Sequence, residues 1–259
     1  MIKKTFGLTL LMGIALLSSA CVVVSLGGGN NAAINIQGTG AMVSRTFDTE
    51  AFHVINIGSS FVVTYSHSNT PSLVIEMQEN LFEYLEVFVE DGTLNVGPRG
   101  VLDRGSGRQA HNFNTSDNNR PRIYIYAPYL SAANLFGDIT GGEWDTIYRQ
   151  NFNVSVAGAV DLTIPLEVEL LEINIAGAGN LELNGNADVV NITVAGAGDI
   201  SAFDLQARDV NISVAGAGNV DVSVLDNLDA TVSGVGRVRY MGNPTVNRQV
   251  VGIGSVERY

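Results

Sequence analysis

Three histidines, one cysteine and one tryptophan are the obvious carriers of chemistry in this chain of 259 residues. His53, His67 and His111 lie in separate segments. No HExxH, Cys/His cluster, phosphate-binding loop or nucleophile elbow accompanies them. Gly-x-Gly recurs in the second half, but without the strand–helix context of a dinucleotide site, so it reads as a structural element. Trp144, in Gly141-Gly142-Glu143-Trp144-Asp145, would be a sugar platform if exposed; a core or capping role is the alternative. Regularly spaced Asp161, Asn180, Asp199 and Asn219 could be turn formers or, alternatively, calcium ligands. Calcium-binding glycine-rich repeats carry an Asp in every, shorter, copy, and this chain does not. These residues predict no enzyme, no cofactor and no metal.

What must position such columns is a repeat. Ala176-Gly177-Ala178-Gly179, Ala195-Gly196-Ala197-Gly198 and Ala215-Gly216-Ala217-Gly218 share one motif. Ala157-Gly158-Ala159-Val160, Ser233-Gly234-Val235-Gly236 and Val251-Gly252-Ile253-Gly254 are degenerate copies. The first glycines are separated by 19, 19, 20, 18 and 18 residues. Periods of this length mark stacked architectures.

With the first glycine as position zero, −4 and −2 hold Val154/Val156, Ile173/Ile175, Ile192/Val194 and Ile212/Val214. Position +4 holds Leu162, Leu181, Ile200 and Val220, while −5 and −3 are mostly polar. Period-two alternation makes each copy a strand with one apolar face, too small to bury itself alone. A helix would space its apolar residues by three and four. A propeller blade needs about twice this period, and antiparallel hairpins need turns every 8–12 residues or so. The fold predicted is all-β: a parallel β-helix or β-solenoid with coils of about 19 residues over 131–259. At about 3.3 Å per residue each coil has a perimeter near 60 Å. The same parity predicts both glycines on the inner side, where they let the backbone bend or approach a neighbour. Ala157, Ala159, Ala176, Ala178, Ala195, Ala197, Ala215 and Ala217 then face out as a candidate contact strip, either a flat face or the outside of a tight corner. Position +5 predicts Asp221, Arg239 and Glu257 as vertical neighbours in an ion ladder.

Residues 33–130 form a more irregular β region continuous with the solenoid. Short β-branched and aromatic runs such as Phe61-Val62-Val63-Thr64-Tyr65 and Leu85-Glu86-Val87-Phe88-Val89 are bounded by Gly, Asp and Pro. Asn80 to Tyr84 suggests one helical turn. Residues 97–121 read as a long polar loop, with Arg99, Arg104, Arg108 and Arg120 inside it and Arg122 just past its end. Such a loop is either a mobile insertion or a cationic finger on an acidic protein.

Lys3 and Lys4 precede an apolar stretch from Phe6 to Leu17, and Ser18-Ser19-Ala20 lead into Cys21. This pattern reads as a signal peptide over 1–20, with an uncleaved membrane anchor as the alternative. A lone cysteine directly after the small residues resembles a bacterial lipoprotein signal, which implies a membrane anchor through lipid on Cys21. Ser18 stands where that pattern favours Leu. Residues 21–32, with Gly27-Gly28-Gly29, form a flexible tether. Without the leader the chain carries twelve arginines and no lysine against 26 acids, a net charge of −14. That surface repels phosphate backbones and argues against nucleic-acid binding.

The run Arg45-Thr46-Phe47-Asp48 with Val54 and Ile57, then Val62 to Tyr65, Asp91-Gly92-Thr93-Leu94, the glycine repeats, and Tyr240-Met241-Gly242-Asn243-Pro244 before Gly252-Ile253-Gly254 together resemble the GIN-domain family of auto-transporter adhesin heads. The resemblance covers nearly the whole chain after the leader. It implies a β-helix-like fold in a bacterial envelope lipoprotein, at the outer membrane or cell surface, and supplies no catalytic residue. The 97–121 segment departs from it. Three functions stay open: a surface binding module for a glycan or protein, with self-association; a structural or sensing lipoprotein with a protein partner; and a polysaccharide-acting enzyme. The last ranks lowest, because the outward columns supply mostly Asn, Ser, Thr and Ala.

Overall fold

The computed structural model describes residues 33–102 and 109–259. The leader, Cys21, the tether and residues 103–108, including Arg104 and Arg108, lie outside the described residues. Ala32–Tyr259 is one compact unit.

Its spine is a stack of parallel strands: β9 (Ala132–Trp144), β10 (Ile147–Ile175), β11 (Ala178–Gly196), β12 (Asp199–Gly216), β13 (Asn219–Gly234), β14 (Arg237–Gly242), β15 (Thr245–Gly252) and β16 (Ser255–Arg258). The register follows the sequence spacing. Asp161 pairs with Asn180, Asn180 with Asp199, Asp199 with Asn219, Asn219 with Arg237 and Arg237 with Ser255. Positions −4, −2 and +4 are buried in every full copy, from Val154, Val156 and Leu162 to Ile212, Val214 and Val220. A coil that cannot bury its apolar side alone does so against the next one, and these residues form one continuous core. The predicted solenoid is therefore observed.

The stack continues into the N-terminal region. There, β3 (Val54–His67) lies parallel to β9, with Ile57 opposite Leu135 and Phe61 opposite Ile139. On its other side, β3 pairs with β6 (Thr93–Pro98) along its first half and β8 (Arg122–Ala127) along its second. Beyond them the pairing turns antiparallel. Strand β4 (Ser72–Gln78) joins β8, β2 (Met42–Phe47) joins β4, and β5 (Leu85–Glu90) joins β6. The hairpin β5–β6 turns at Asp91 and Gly92, whose φ values of 49° and 70° suit an Asp-Gly turn. A 3-10 turn over Glu79–Tyr84 fills the expected helical position and buries Leu81 and Phe82.

Part of the segment read as a polar loop is regular. Strand β7 (His111–Asn114) pairs in parallel with β1 (Ile34–Gln37), burying Phe113 against Phe61. Its alternation is too short to stand out in the sequence. The described arginines fold back onto acids and carbonyls: Arg99 on Glu86 and the Glu83 carbonyl, Arg120 on Asp138, Arg122 on Glu76.

Candidate functional site

The coil bends at each motif copy after the first, and the two glycines do different jobs. A Cβ on Gly196 would lie 2.3 Å from the Gly177 carbonyl oxygen, and one on Gly216 would lie 2.2 Å from that of Gly196. Their φ values, 154° and 145°, are ones that residues with a side chain rarely adopt. The first glycine therefore points at the backbone of the preceding coil, not into the core, which corrects the expectation that both face inward. Only the second, such as Gly198 and Gly218, is buried on the core side, against Ile175 and Val194.

The glycine column is longer than the motif. Ser59 pairs with Gly137 and Gly137 with Gly158. A Cβ on Gly137 would lie 2.6 Å from the Ser59 oxygen. Ser59 itself holds φ 97° despite its side chain. Neither copy was recognisable in sequence, because Ser59 lacks the glycine and Phe136-Gly137-Asp138 lacks the alanines. Ala133 and Leu135, apolar and buried at −4 and −2 from Gly137, are the remaining signal.

Ala159, Ala176, Ala178, Ala195, Ala197, Ala215 and Ala217 are exposed and Ala157 is half-buried. Their two columns flank the bend, one on each adjoining side, so the strip they form is the edge of the rod. At its end the same positions hold Val235, Val251 and Ile253, which are 57, 59 and 87% exposed.

The sides next to this edge carry polar columns whose members bond from coil to coil. On one side the Asn211 amide donates to Asn191 at 2.9 Å and Asn247 to Asp229 at 2.6 Å, beside Thr193, Ser213 and Thr231. On the other, the Asn219 backbone N–H and side-chain amide donate to Asp199 Oδ1 at 3.1 and 2.8 Å, and Thr163 donates to Glu182 at 3.2 Å. Arg239 Nε donates to Asp221 Oδ1 at 2.7 Å and a second guanidinium nitrogen reaches Oδ2. The Asp221 carboxylate bonded to it is the main reason the Arg239 pKa lies above its ordinary value. The predicted order Asp221, Arg239, Glu257 holds in the register. Glu257, however, pairs at 3.5 Å with Arg237, because Asp221 already engages Arg239.

The histidines do not converge. His53 packs on Tyr129, His111 on Tyr84, and His67 ends β3. Among the described residues no group of His, Cys, Asp and Glu is arranged to hold a metal ion. Asp161, Asn180, Asp199 and Asn219 form a side-chain column, with Asn219 spent on Asp199. Trp144 takes the core role: it is buried, donates to the Val63 carbonyl at 2.9 Å and packs on Tyr65. Burial, with the Asp145 charge adding, pushes the Tyr65 phenol above its ordinary value.

A rod of parallel coils whose sides are regular, exposed polar columns defines the class: a β-solenoid presenting surfaces. The family model described as "Putative auto-transporter adhesin, head GIN domain" matches residues 51–244, and the chain belongs to that family. A solved structure of a "putative adhesin" from Bacteroides fragilis is 24% identical with a TM-score of 0.75, covering 86% of this chain and all of the other. A "putative lipid binding protein" from Parabacteroides distasonis is 23% identical with a TM-score of 0.64, over 87% of this chain and 99% of that one. A "putative adhesin" from Parabacteroides merdae is also 23% identical, with a TM-score of 0.64 over 88% of this chain and all of the other. At these identities the likeness establishes the fold. No curated protein matches the sequence. Among the described residues no helix is long and apolar enough to cross a membrane.

Proposed function

We propose that this protein is a non-catalytic binding module of the bacterial cell envelope, held at the outer membrane or cell surface by lipid on Cys21. It presents the sides of a rigid solenoid to a glycan or protein ligand. The observation that carries this reading is the set of exposed polar columns, fixed by side-chain hydrogen bonds from one coil to the next. Side chains already ordered in the free protein lose little entropy on contact, which favours recognition by a surface. The family's adhesin-head description agrees with that use. The acid excess argues against nucleic acid as the ligand.

A second reading is association with a further copy along the alanine edge, and the exposed Val235, Val251 and Ile253 at its end favour it. A structural or sensing role with a protein partner would use the same edge.

The test is a screen of the full chain, solubilised in detergent, against glycans and host-matrix proteins, with its mass measured by light scattering. Binding to at least one ligand is expected, and Ala195→Arg with Ala215→Arg should remove whatever depends on the edge. Unchanged ligand binding and unchanged mass in that folded double variant would remove the edge from the reading. Mass spectrometry of the N-terminal peptide should show diacylglycerol on Cys21, and a free cysteine there would overturn the anchor.

A further inference from the structure

The one 20-residue step in the repeat, from Gly196 to Gly216, has a structural cause. The register between β11 and β12 shifts between Glu182 and Asn184, so that Glu182 faces Ser201 but Asn184 faces Asp204. The register between β12 and β13 shifts after Ala202 as well. The extra residue is accommodated as a bulge around Phe203. Bulges re-aim side chains, and they recur beside functional sites. Here the bulge leaves Phe203 half-buried on the outside of the coil, with its ring centroid 4.9 Å from that of Tyr259. Tyr259 is 69% exposed, and the Arg239 guanidinium lies over both rings, 5.6 and 5.3 Å from their centroids.

This aromatic pair adjoins, through Arg239, an open trough of about 780 Å³ that crosses successive coils from Asp161 to Arg239. Its lining includes Asn180, Asp199, Asn219 and Asp221. Resting on the binding-module reading above, we infer that this trough, with Tyr259 as its platform, binds an uncharged linear oligosaccharide laid along the rod.

The chemistry narrows the ligand to that class. Apart from Leu181, Ile200 and Ser201, the lining is planar carboxylate, amide and guanidinium groups, which accept from and donate to vicinal hydroxyls in fixed directions. They are held in place by Asn219–Asp199 and Arg239–Asp221, so little ordering remains to be done on binding. An aromatic face is electron-rich and suits the C–H face of a sugar ring. An anionic polymer would meet Asp161, Glu182, Asp199 and Asp221, while the arginine charges already have carboxylate partners. A peptide adding as a strand would find no edge here, because β11 and β12 are paired on both sides. A polymer suits the trough because coils repeat about every 4.8 Å along it.

The test uses the full chain in detergent and immobilised neutral oligosaccharides of the β-glucan, mannan and xylan types, with polygalacturonate and heparin as anionic probes. Retention of at least one neutral probe is expected, weakened about tenfold in Tyr259→Ala and in Asp199→Ala. Tyr148→Ala, at a tyrosine as exposed as Tyr259 but outside the trough lining, should leave it unchanged. Circular dichroism melts check folding, and Tyr259→Ala changes a largely exposed side chain. Equal retention by a folded Tyr259→Ala variant overturns the site, as does loss in the Tyr148→Ala variant alone; in both cases the binding-module reading stands. Preference for the anionic probes overturns the ligand class. Failure of every glycan, with a host-matrix protein bound instead, overturns the inference and leaves the module reading intact. Failure of every glycan and protein overturns both.

Discussion

The regular coils from Gly158 to Gly252 and the N-terminal coils around β3 solve one problem by different means. In the first region each coil is one stretch of about 19 residues, and it pairs with its neighbour in sequence. In the second, β3 is flanked by β9, which lies 78 residues further on, as Asn56 opposite Asn134 shows. Its other flank is assembled from β6 and β8 with a long segment between them. The first region keeps its coils close by removing side chains at the bend. The second keeps a serine there, and holds its rungs together with a part-buried amide chain. Asn134 donates to Asn56 at 2.7 Å, Asn56 to Asn95 at 2.9 Å, and Asn95 to the Thr93 carbonyl at 3.0 Å. The contrast teaches that close backbone contact at the edge runs on from the repeats to Ser59, and that part-buried polar bonding reinforces it where the sequence does not repeat.

Six substitutions, taken in four tests, would break or sharpen that contrast. The largest effect is expected from Gly216→Val. Its Cβ would enter the Gly196 carbonyl at 2.2 Å, and the backbone there is left-handed. A loss of about 4 kcal/mol or more in chemical denaturation follows. A smaller cost, near that of an ordinary surface change, would show that the coils can spread apart at the bend.

Asn56→Ala should cost less, about 1–3 kcal/mol, by leaving the Asn95 acceptor and the Asn134 donor unpaired in a half-buried setting. The equivalent loss on the exposed column, Asn211→Ala, should stay within about 0.5 kcal/mol. Equal costs for the two would remove the distinction between a part-buried and a surface ladder.

Ser59→Gly should stabilise the fold by about 1 kcal/mol, since it relieves a left-handed serine at φ 97°. The mirror change Gly137→Ser should destabilise it, because Gly137 lies against the Ser59 backbone. Thermal melts of both single variants give the sign.

The smallest effect is a pH dependence confined to the N-terminal coils. Burial holds the folded Tyr65 phenol above its ordinary value of about 10. The unfolded chain therefore loses that proton first as pH rises. The stabilisation is complete below pH 10 and is lost as pH climbs through the folded value. Tyr65→Phe should flatten this part of the alkaline stability curve, and an unchanged slope would assign it to other groups.

Much of the solenoid was legible because its cause is local. Alternation at −4, −2 and +4 reports a strand buried on one face, and a fixed period reports stacking, whatever the tertiary detail. The Asp221–Arg239 contact followed from the same register arithmetic. The N-terminal coils were hidden because their partners are far away in sequence. No spacing rule links Asn56 to both Asn95 and Asn134. The candidate trough was half visible. Its Asp and Asn columns stood in the repeat, but Phe203 and Tyr259 occupy unrelated sequence contexts and meet only through the bulge and the last coil.

By itself the sequence determined the all-β stack, the coil length, the inner and outer faces, and the family, since each rests on residue type at short fixed intervals. Only the tertiary structure decided which way the first glycine points, that the alanines outline an edge, where the stack begins, and which aromatic ring lies beside the polar trough. Those depend on contacts between coils, and the energy of a contact is set by both partners at once.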